Sequence, residues 1–287
     1  MIAAPPQIFD RKLARARLSK ALSRGAPDFL MRRAAEDFAD RLAAIRREFP
    51  RALDLATPTG DFAEVLASRG IAPLRAAPFL SEGAHLVIDE ELPPFAPGVF
   101  DLVVSGLALQ WVNDLPGVFA QVRRALAPDG LFLAAMPGGA SLNELRAALT
   151  QAEVEACGGA SPRVSPFVEV RDLGGLLQRA GFALPVTDRD AFTLRYDSMF
   201  SLCDDLRRMG AANALEARAR KPLARATFLR AAQIYAERFS DPDGRVRASF
   251  EIVWLSGWAP HESQQKPLKP GTAQMRLADA LKPGGMR

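Results

Sequence analysis

Residues 100–109, FDLVVSGLAL, constrain the fold more than any other stretch. A nearly continuous apolar run of this length reads as a strand covered on both faces, as in a parallel sheet layered between helices. The neighbouring segments keep the same alternation. ALDLA (52–56) is a short strand, and FAEVLASRG is the helix after it, closed by Gly70. IAPLRAAPF offers a second strand interrupted by its prolines, and AHLVID (84–89) a third. After the long run, LPGVFAQVRRAL is an amphipathic helix closed by APDG, and GLFLAAMPG (130–138) is the next strand. Strands alternating with helices predict a doubly wound α/β sheet. Right-handed crossovers then bring the strands' carboxyl ends, with their loops, to one edge.

Residues 9–50 read as helical. Phe29, Leu30, Ala34, Phe38, Leu42 and Ile45 recur at spacings of three and four, and Pro50 ends the pattern. Residues 1–50 are therefore expected to form a helical cap, and residues 51–264 the main domain. After residue 140, SLNELRAALTQAEVEACGG and EVRDLGGLLQRAG are helical, while FALPVTDRDAFTLRY and ASFEIVWLSGWAP are strands. Two helical stretches between those strands form an insertion over about 198–240. The Pro/Gly/Lys-rich tail, 265–287, is expected to be loose.

Composition removes several classes. A chain of 287 residues with 48% hydrophobic content can bury a sizeable core. The net charge of +4 includes basic stretches at Arg11, Lys12, Arg15 and Arg17, and at Arg218, Arg220 and Lys221. They read as solvated helix faces, and no aromatic-interleaved basic motif suggests nucleic acid. Cys157 and Cys203 stand in no CxxC pattern, and His85 and His261 are the only histidines, so neither a disulfide framework nor a metal site is expected. No apolar run reaches the length of a membrane span, and MIAAPPQIFDRKLARARLSK has no apolar signal segment.

Two acids follow strands at the functional edge. Asp54 and Asp89 can accept hydrogen bonds from ribose hydroxyls, an adenine amine or an ammonium group, or they can cap turns. Asn113 and Asp114 are placed to cap the following helix. Trp254 and Trp258 share one face of a strand and read as core.

The succession of strand, loop, helix, L-x-P-D-G turn and strand in FDLVVSGLALQWVNDLPGVFAQVRRALAPDGLFLAAMPGG resembles the middle of the class I S-adenosylmethionine-dependent methyltransferases. With IFDRKLARAR (8–17), GGASLNELRAAL (138–149), SPRVSPFVEVRDLGGLLQRAGF (161–182) and GWAPHESQ (257–264), the chain resembles the assembly factor 5 family of respiratory complex I from about Ile8 to about Gln264. It is also similar to the malonyl-carrier-protein methyltransferase of biotin synthesis. The resemblance implies a class I methyltransferase (Rossmann-like) doubly wound sheet with the N-terminal helical cap and a helical insertion before the last strand. It implies S-adenosyl-L-methionine as cofactor, and either methyl transfer or hydroxylation of a protein arginine during complex I assembly. The implied partner is the quinone-site subunit of complex I. The implied location is the cytoplasm, peripheral at the inner membrane, or the mitochondrial matrix in a eukaryote.

On this sequence the cofactor-side positions implied are Asp54, Ala56, Gly60, Asp89, Glu90 and Leu107, with Asp89 and Glu90 facing adenine. Gln110, Trp111, Arg163 and His261 are implied on the substrate side, with Ser165 and Glu262 beside the last two. No catalytic residue is assigned. Gln110 stands where relatives carry a histidine, so the group that would titrate near neutral pH is missing there.

The chain departs from the family at the loop after the first strand. Where D-L-G-C-G-x-G is usual, this chain has Asp54-Leu55-Ala56-Thr57-Pro58-Thr59-Gly60. Pro58 removes a backbone donor, and Ala56 and Thr57 add side chains where the cofactor would pass. A lost hydrogen bond costs about 1 kcal/mol. The acid that would grip the ribose after the second strand is replaced by Ala76, Ala77 and Pro78, with Glu82 the nearest carboxylate. Loss of that charge-assisted contact weakens binding by about 1.5–3 kcal/mol. Three readings follow: an enzyme of the assembly family, a degenerate non-catalytic binding protein on the same fold, or a small-molecule or carrier-protein methyltransferase. The last would dock its carrier through Arg11 and Arg15.

Overall fold

A computed structural model describes residues 6–81 and 83–265. Two helices, α1 (Arg11–Leu22) and α2 (Phe29–Ala43), precede the sheet. Then follow β1 (Ala52–Leu55), α3 (Asp61–Ser68), β2 (Leu74–Ala77), β3 (Leu86–Val87), β4 (Phe100–Gly106), α4 (Leu115–Ala125) and β5 (Leu126–Pro137). The rest comprises α5 (Asn143–Cys157), α6 (Val170–Arg179), β6 (Ala183–Tyr196), α7 (Met199–Arg208), α8 (Arg225–Phe239) and β7 (Val246–Trp258). The tail expected to be loose lies, from residue 266, outside the described residues, as does Glu82.

Among the described residues the seven strands form one sheet in the order β3-β2-β1-β4-β5-β7-β6. Neighbours from β3 to β5 are parallel, and β7 runs antiparallel to both β5 and β6. The long apolar run is β4 at the sheet's centre, buried except at Asp101. β2 is confined between Pro73 and Pro78, in keeping with proline's inability to donate to a ladder. β3 is only two residues long, and both are exposed at the edge of the sheet with no strand outside it among the described residues.

Each face of the sheet carries an apolar layer. On one, Val118, Phe119 and Val122 of α4 and Leu173 and Leu177 of α6 pack with Val103 and Phe132. On the other, Phe38 and Leu42 of α2 and Phe62 and Leu66 of α3 pack with Leu102, Val104 and Trp254. The predicted face of α2 is real, but Met31 is buried where Phe29 and Leu30 are only half-buried. A third cluster joins α5, α7 and α8 to the far half of β7 through Leu145, Leu202, Ile234, Tyr235 and Phe250, so the insertion is anchored on its own core. Asp114 caps α4, accepting from the Gly117 N–H at 2.9 Å.

Phe62 joins the two sides of the second layer. It is fully buried, stacked 4.4 Å from Phe38 and 6.3 Å from Trp254. Its ring also fills the space left by Gly106, where an added Cβ would come within 2.8 Å of it. In urea unfolding, Phe62→Ala is expected to cost about 3–5 kcal/mol, and Gly106→Ala about 1–3 kcal/mol through overpacking.

Candidate functional site

The loops after β1 and β4 meet at the carboxyl edge of the sheet. Ala56 has φ 61° and Leu107 has φ 46°, the left-handed region that glycine enters most readily. The β1 loop thus makes a turn that glycine favours while carrying a Cβ at Ala56. The Ala56 N–H donates to the Ala76 carbonyl at 2.7 Å, and the Thr57 hydroxyl accepts from the Gly106 N–H at 3.0 Å. These two bonds hold β1's loop between its neighbours.

Asp54 was expected at the ligand edge. The structure instead places it inside β1, 1% exposed, against Arg75 of β2. Arg75 Nε donates to Asp54 Oδ2 at 3.2 Å, and Arg75 Nη2 donates to the Thr59 carbonyl at 2.5 Å. Asp54 Oδ1 has no hydrogen-bond partner among the described residues. Burial therefore dominates and pushes the Asp54 carboxyl up to about 6, despite the nearby Thr57 hydroxyl and guanidinium.

Asp89 and Glu90 were expected to face adenine, and both are taken by α1. Arg11 reaches Asp89, Glu90 at 3.0 Å and Glu91 at 2.6 Å. Arg15 reaches Asp89 at 3.0 Å and Glu90 at 2.6 Å. Their side chains are 15% and 27% exposed, so this basic face turns inward rather than toward solvent. The reason is the acid run at 89–91: Glu90 is buried, and a buried carboxylate requires a partner. Arg218 is inward too, paired with Asp10 at 2.9 Å, and Arg17 donates to the Ala212 and Asn213 carbonyls.

Asn113 does not cap α4. Its Oδ1 accepts from the Ile8 and Phe9 N–H groups, each at 2.8 Å, and its Nδ2 donates to the Phe9 carbonyl at 3.1 Å. Phe9 meets Trp111 edge-to-face at 5.6 Å. The segment entering α1 is thereby clamped to the loop after β4. The space enclosed by Ala56, Pro78, Glu90, Ala108 and Trp111 beneath α1 measures about 20 Å³, room for roughly one water. No carboxylate follows β2 at Ala76, Ala77 or Pro78 to take a ribose. In this arrangement the residues present do not fit an adenosyl group.

Beside the closed cleft lies a cavity of about 510 Å³, within the usual range for small-ligand sites. Leu107, Gln110, Trp111 and Arg163 are brought together around it, with Pro58 and Thr59 at the β1-loop side. Arg163 pairs with Glu153 at 2.5 Å, and the Gln110 amide donates to the Leu107 carbonyl at 2.7 Å. Gly60 is the residue before α3. His261 and Glu262 do not join this group. Because β7 is antiparallel, Ile252 pairs with Pro137 but Trp258 pairs with Leu131, so the chain beyond Trp258 emerges at the opposite edge. There His261 is exposed beside Ser263, and Gln264 donates to Asp129 at 2.8 Å. Sequence reasoning missed Arg75 and Glu251, each a charged residue inside an apolar strand, and that interruption was the available signal.

The family model of the methyltransferase domain matches residues 29–185. The chain is 40% identical to the human protein named arginine-hydroxylase NDUFAF5, mitochondrial, over 95% of this chain and 83% of that one. It is 38% identical to the Danio rerio protein of the same name, covering 98% and 91%. The chain belongs to the NDUFAF5 arginine-hydroxylase family, built on a methyltransferase domain. It is also 34% identical to the malonyl-[acyl-carrier protein] O-methyltransferase of Halorhodospira halophila, over 86% of each. Among solved structures, a methyltransferase candidate from Bacillus halodurans aligns with TM-score 0.52 at 17% identity, covering 78% of this chain and 98% of its own, which shows the shared fold. The vertebrate NDUFAF5 proteins are named mitochondrial. Among the described residues no helix is long and apolar enough to cross a membrane, and no group of three or more His, Cys, Asp or Glu could hold a metal.

The raised carboxyl of Asp54 gives a pH signature. The unfolded chain releases this proton near pH 4, whereas the folded chain holds it to about 6. The folded state therefore binds more protons across that window, and stability falls as pH rises through it. Compared with Asp54→Asn by urea unfolding, the wild type is expected to lose up to about 3 kcal/mol between pH 4 and 7. A flat difference would show that Arg75 fully compensates the charge.

Proposed function

We propose that this chain acts in respiratory complex I assembly on an arginine-bearing segment of the quinone-site subunit, taking that segment into the cavity of about 510 Å³. The observation that carries this reading is the cavity's position: it opens at the carboxyl edge, beside the loops after β1 and β4, in a chain that matches arginine-hydroxylases nearly end to end. The protein then works at the inner-membrane surface, from the cytoplasm of a bacterium or from the matrix of a mitochondrion. Hydroxylation is the reaction its relatives' name supports. The test is mass spectrometry of that subunit in cells with and without the gene. One added oxygen on an arginine, lost with the gene, is the expected result; an identical, unmodified subunit in both would remove the enzymatic reading.

The closed cleft favours a second reading, a non-catalytic protein that binds the segment without S-adenosylmethionine. The two divide on α1. If α1 covers an intact site, calorimetric titration with S-adenosylmethionine is expected to give at least about tenfold tighter binding to Arg11→Ala/Arg15→Ala than to the wild type, as two charge-assisted contacts no longer hold the cover down. Silence from both proteins at millimolar ligand favours the binding protein. The carrier-protein reading loses support, since Arg11 and Arg15 are engaged internally and offer no docking face.

A further inference from the structure

The cavity of about 510 Å³ is bordered mainly by apolar side chains drawn from distant parts of the chain: Leu22 of α1, Met31 of α2, Leu145 of α5, Leu206 of α7, Phe228 of α8 and Ile252 of β7. Met31, Leu145 and Ile252 are buried, so the space runs deep, and it reaches Trp111 in the loop after β4. Glu251 stands between Phe250 and Ile252, so the alternation of β7 turns its side chain to the other face of the sheet. The polar groups along the wall are largely engaged within the chain. Arg163 pairs with Glu153 at 2.5 Å, the Gln110 amide donates to the Leu107 carbonyl, Ser141 Oγ donates to the Glu251 carbonyl at 3.1 Å, and Asn213 Nδ2 donates to the Pro162 carbonyl at 2.8 Å. Protein interiors keep few voids larger than a water molecule, and an apolar cavity is completed by an apolar occupant more readily than by water.

The margin of the cavity has the opposite character. Arg207 borders the space with its side chain 70% exposed. Its partner, Asp204, lies one turn earlier on the same helix at 3.1 Å, and an exposed pair of that kind contributes little. The neighbouring acids are all met by arginines: Asp28 by Arg32 at 2.8 Å, Glu216 by Arg220 at 2.8 Å, and Asp205 by Arg208 at 3.8 Å. Lys20, Arg24, Lys221 and Arg225 are exposed and form no ion pair among the described residues. Arg24 stands between the lining residues Leu22 and Ala26, and Lys221 and Arg225 stand on either side of Leu223, which also lines the space. The margin therefore carries an excess of positive charge around an apolar interior.

We infer that this cavity binds a single-chain aliphatic anion of the fatty-acid class, its hydrocarbon chain running along the apolar wall toward Trp111 and its carboxylate resting at Arg207. The inference goes beyond the preceding reading. The anion and the arginine-bearing segment would fill the same space, so each excludes the other. A cationic amphiphile of the same length would meet like charge at the margin.

The test titrates dodecanoate, decanoate, dodecanol and dodecyltrimethylammonium, each below micelle formation, into the full chain and follows binding by calorimetry. Dodecanoate is expected to bind about tenfold tighter than decanoate, since two further methylenes leave water, and tighter than dodecyltrimethylammonium. Arg207→Gln is expected to weaken dodecanoate about twofold to fivefold and to leave dodecanol unchanged. Leu206→Trp, which fills the space, is expected to weaken every probe. The position of the chain is read by 12-bromododecanoate, whose bromine is expected to quench tryptophan fluorescence in the wild type and to lose most of that effect in Trp111→Phe. No binding of dodecanoate, quenching that survives Trp111→Phe, affinity untouched by Leu206→Trp, or equal affinity for the cationic amphiphile would overturn the inference. Turnover does not enter these measurements, so hydroxylation lost with the gene but no dodecanoate binding would remove this inference alone, and the reverse outcome would remove only the enzymatic reading.

Discussion

The guanidinium groups of Arg11 and Arg15 sit among three consecutive carboxylates, Asp89, Glu90 and Glu91, and the arrangement of the whole carboxyl edge depends on that cluster. It draws α1 down over the ends of β1, β3 and β4 and leaves about 20 Å³ beneath it. Stripping one member from such a half-buried set strands the opposite charge, a penalty of about 3–5 kcal/mol where burial is complete. Cohesion of this kind fixes geometry more than it adds net stability, because desolvation offsets much of the Coulomb attraction. Its effect here is to decide which of two adjacent spaces is open. The Asn113 clamp on residues 8 and 9 and the Phe9–Trp111 contact reinforce the same choice from the loop after β4.

Beneath α1, the loop after β1 makes a turn of the kind glycine favours with an alanine in its place. Ala56 holds a left-handed turn that costs a non-glycine residue about 1–2 kcal/mol, and the turn survives because bonds to Ala76 and Gly106 fix both of its flanks. Arg75 occupies the middle of β2, where it meets Asp54 and the Thr59 carbonyl. The methyltransferase-domain scaffold therefore carries a cleft whose polar groups are engaged in contacts within the chain.

Much of this was legible in the residues. The apolar run 100–109, the alternation around it and the two helices between the last strands all reappear, because local periodicity records which faces a segment buries, whereas α2 ends at Ala43, well before Pro50. The direction of β7 was not legible. It is set by where α7 and α8 return the chain to the sheet, and a strand reads alike in either direction. That single reversal moved His261 to the wrong edge for the site. The basic face of α1 was equally ambiguous, since its partners lie more than 70 residues away and helical spacing cannot distinguish water from a distant acid run. Gln110, Trp111 and Arg163 could be grouped because each falls in a block of the family resemblance, not because their spacing implies a shared cavity.

Leu18 of α1 and Trp111 border both the closed cleft and the open cavity, and Asp10, the residue that caps α1, is tied to Arg218 in the loop after α7. The two compartments consequently share one partition. A displacement of α1 that enlarged one would redraw the wall of the other, and only such a displacement would link occupancy on the two sides, with equal and reciprocal effect.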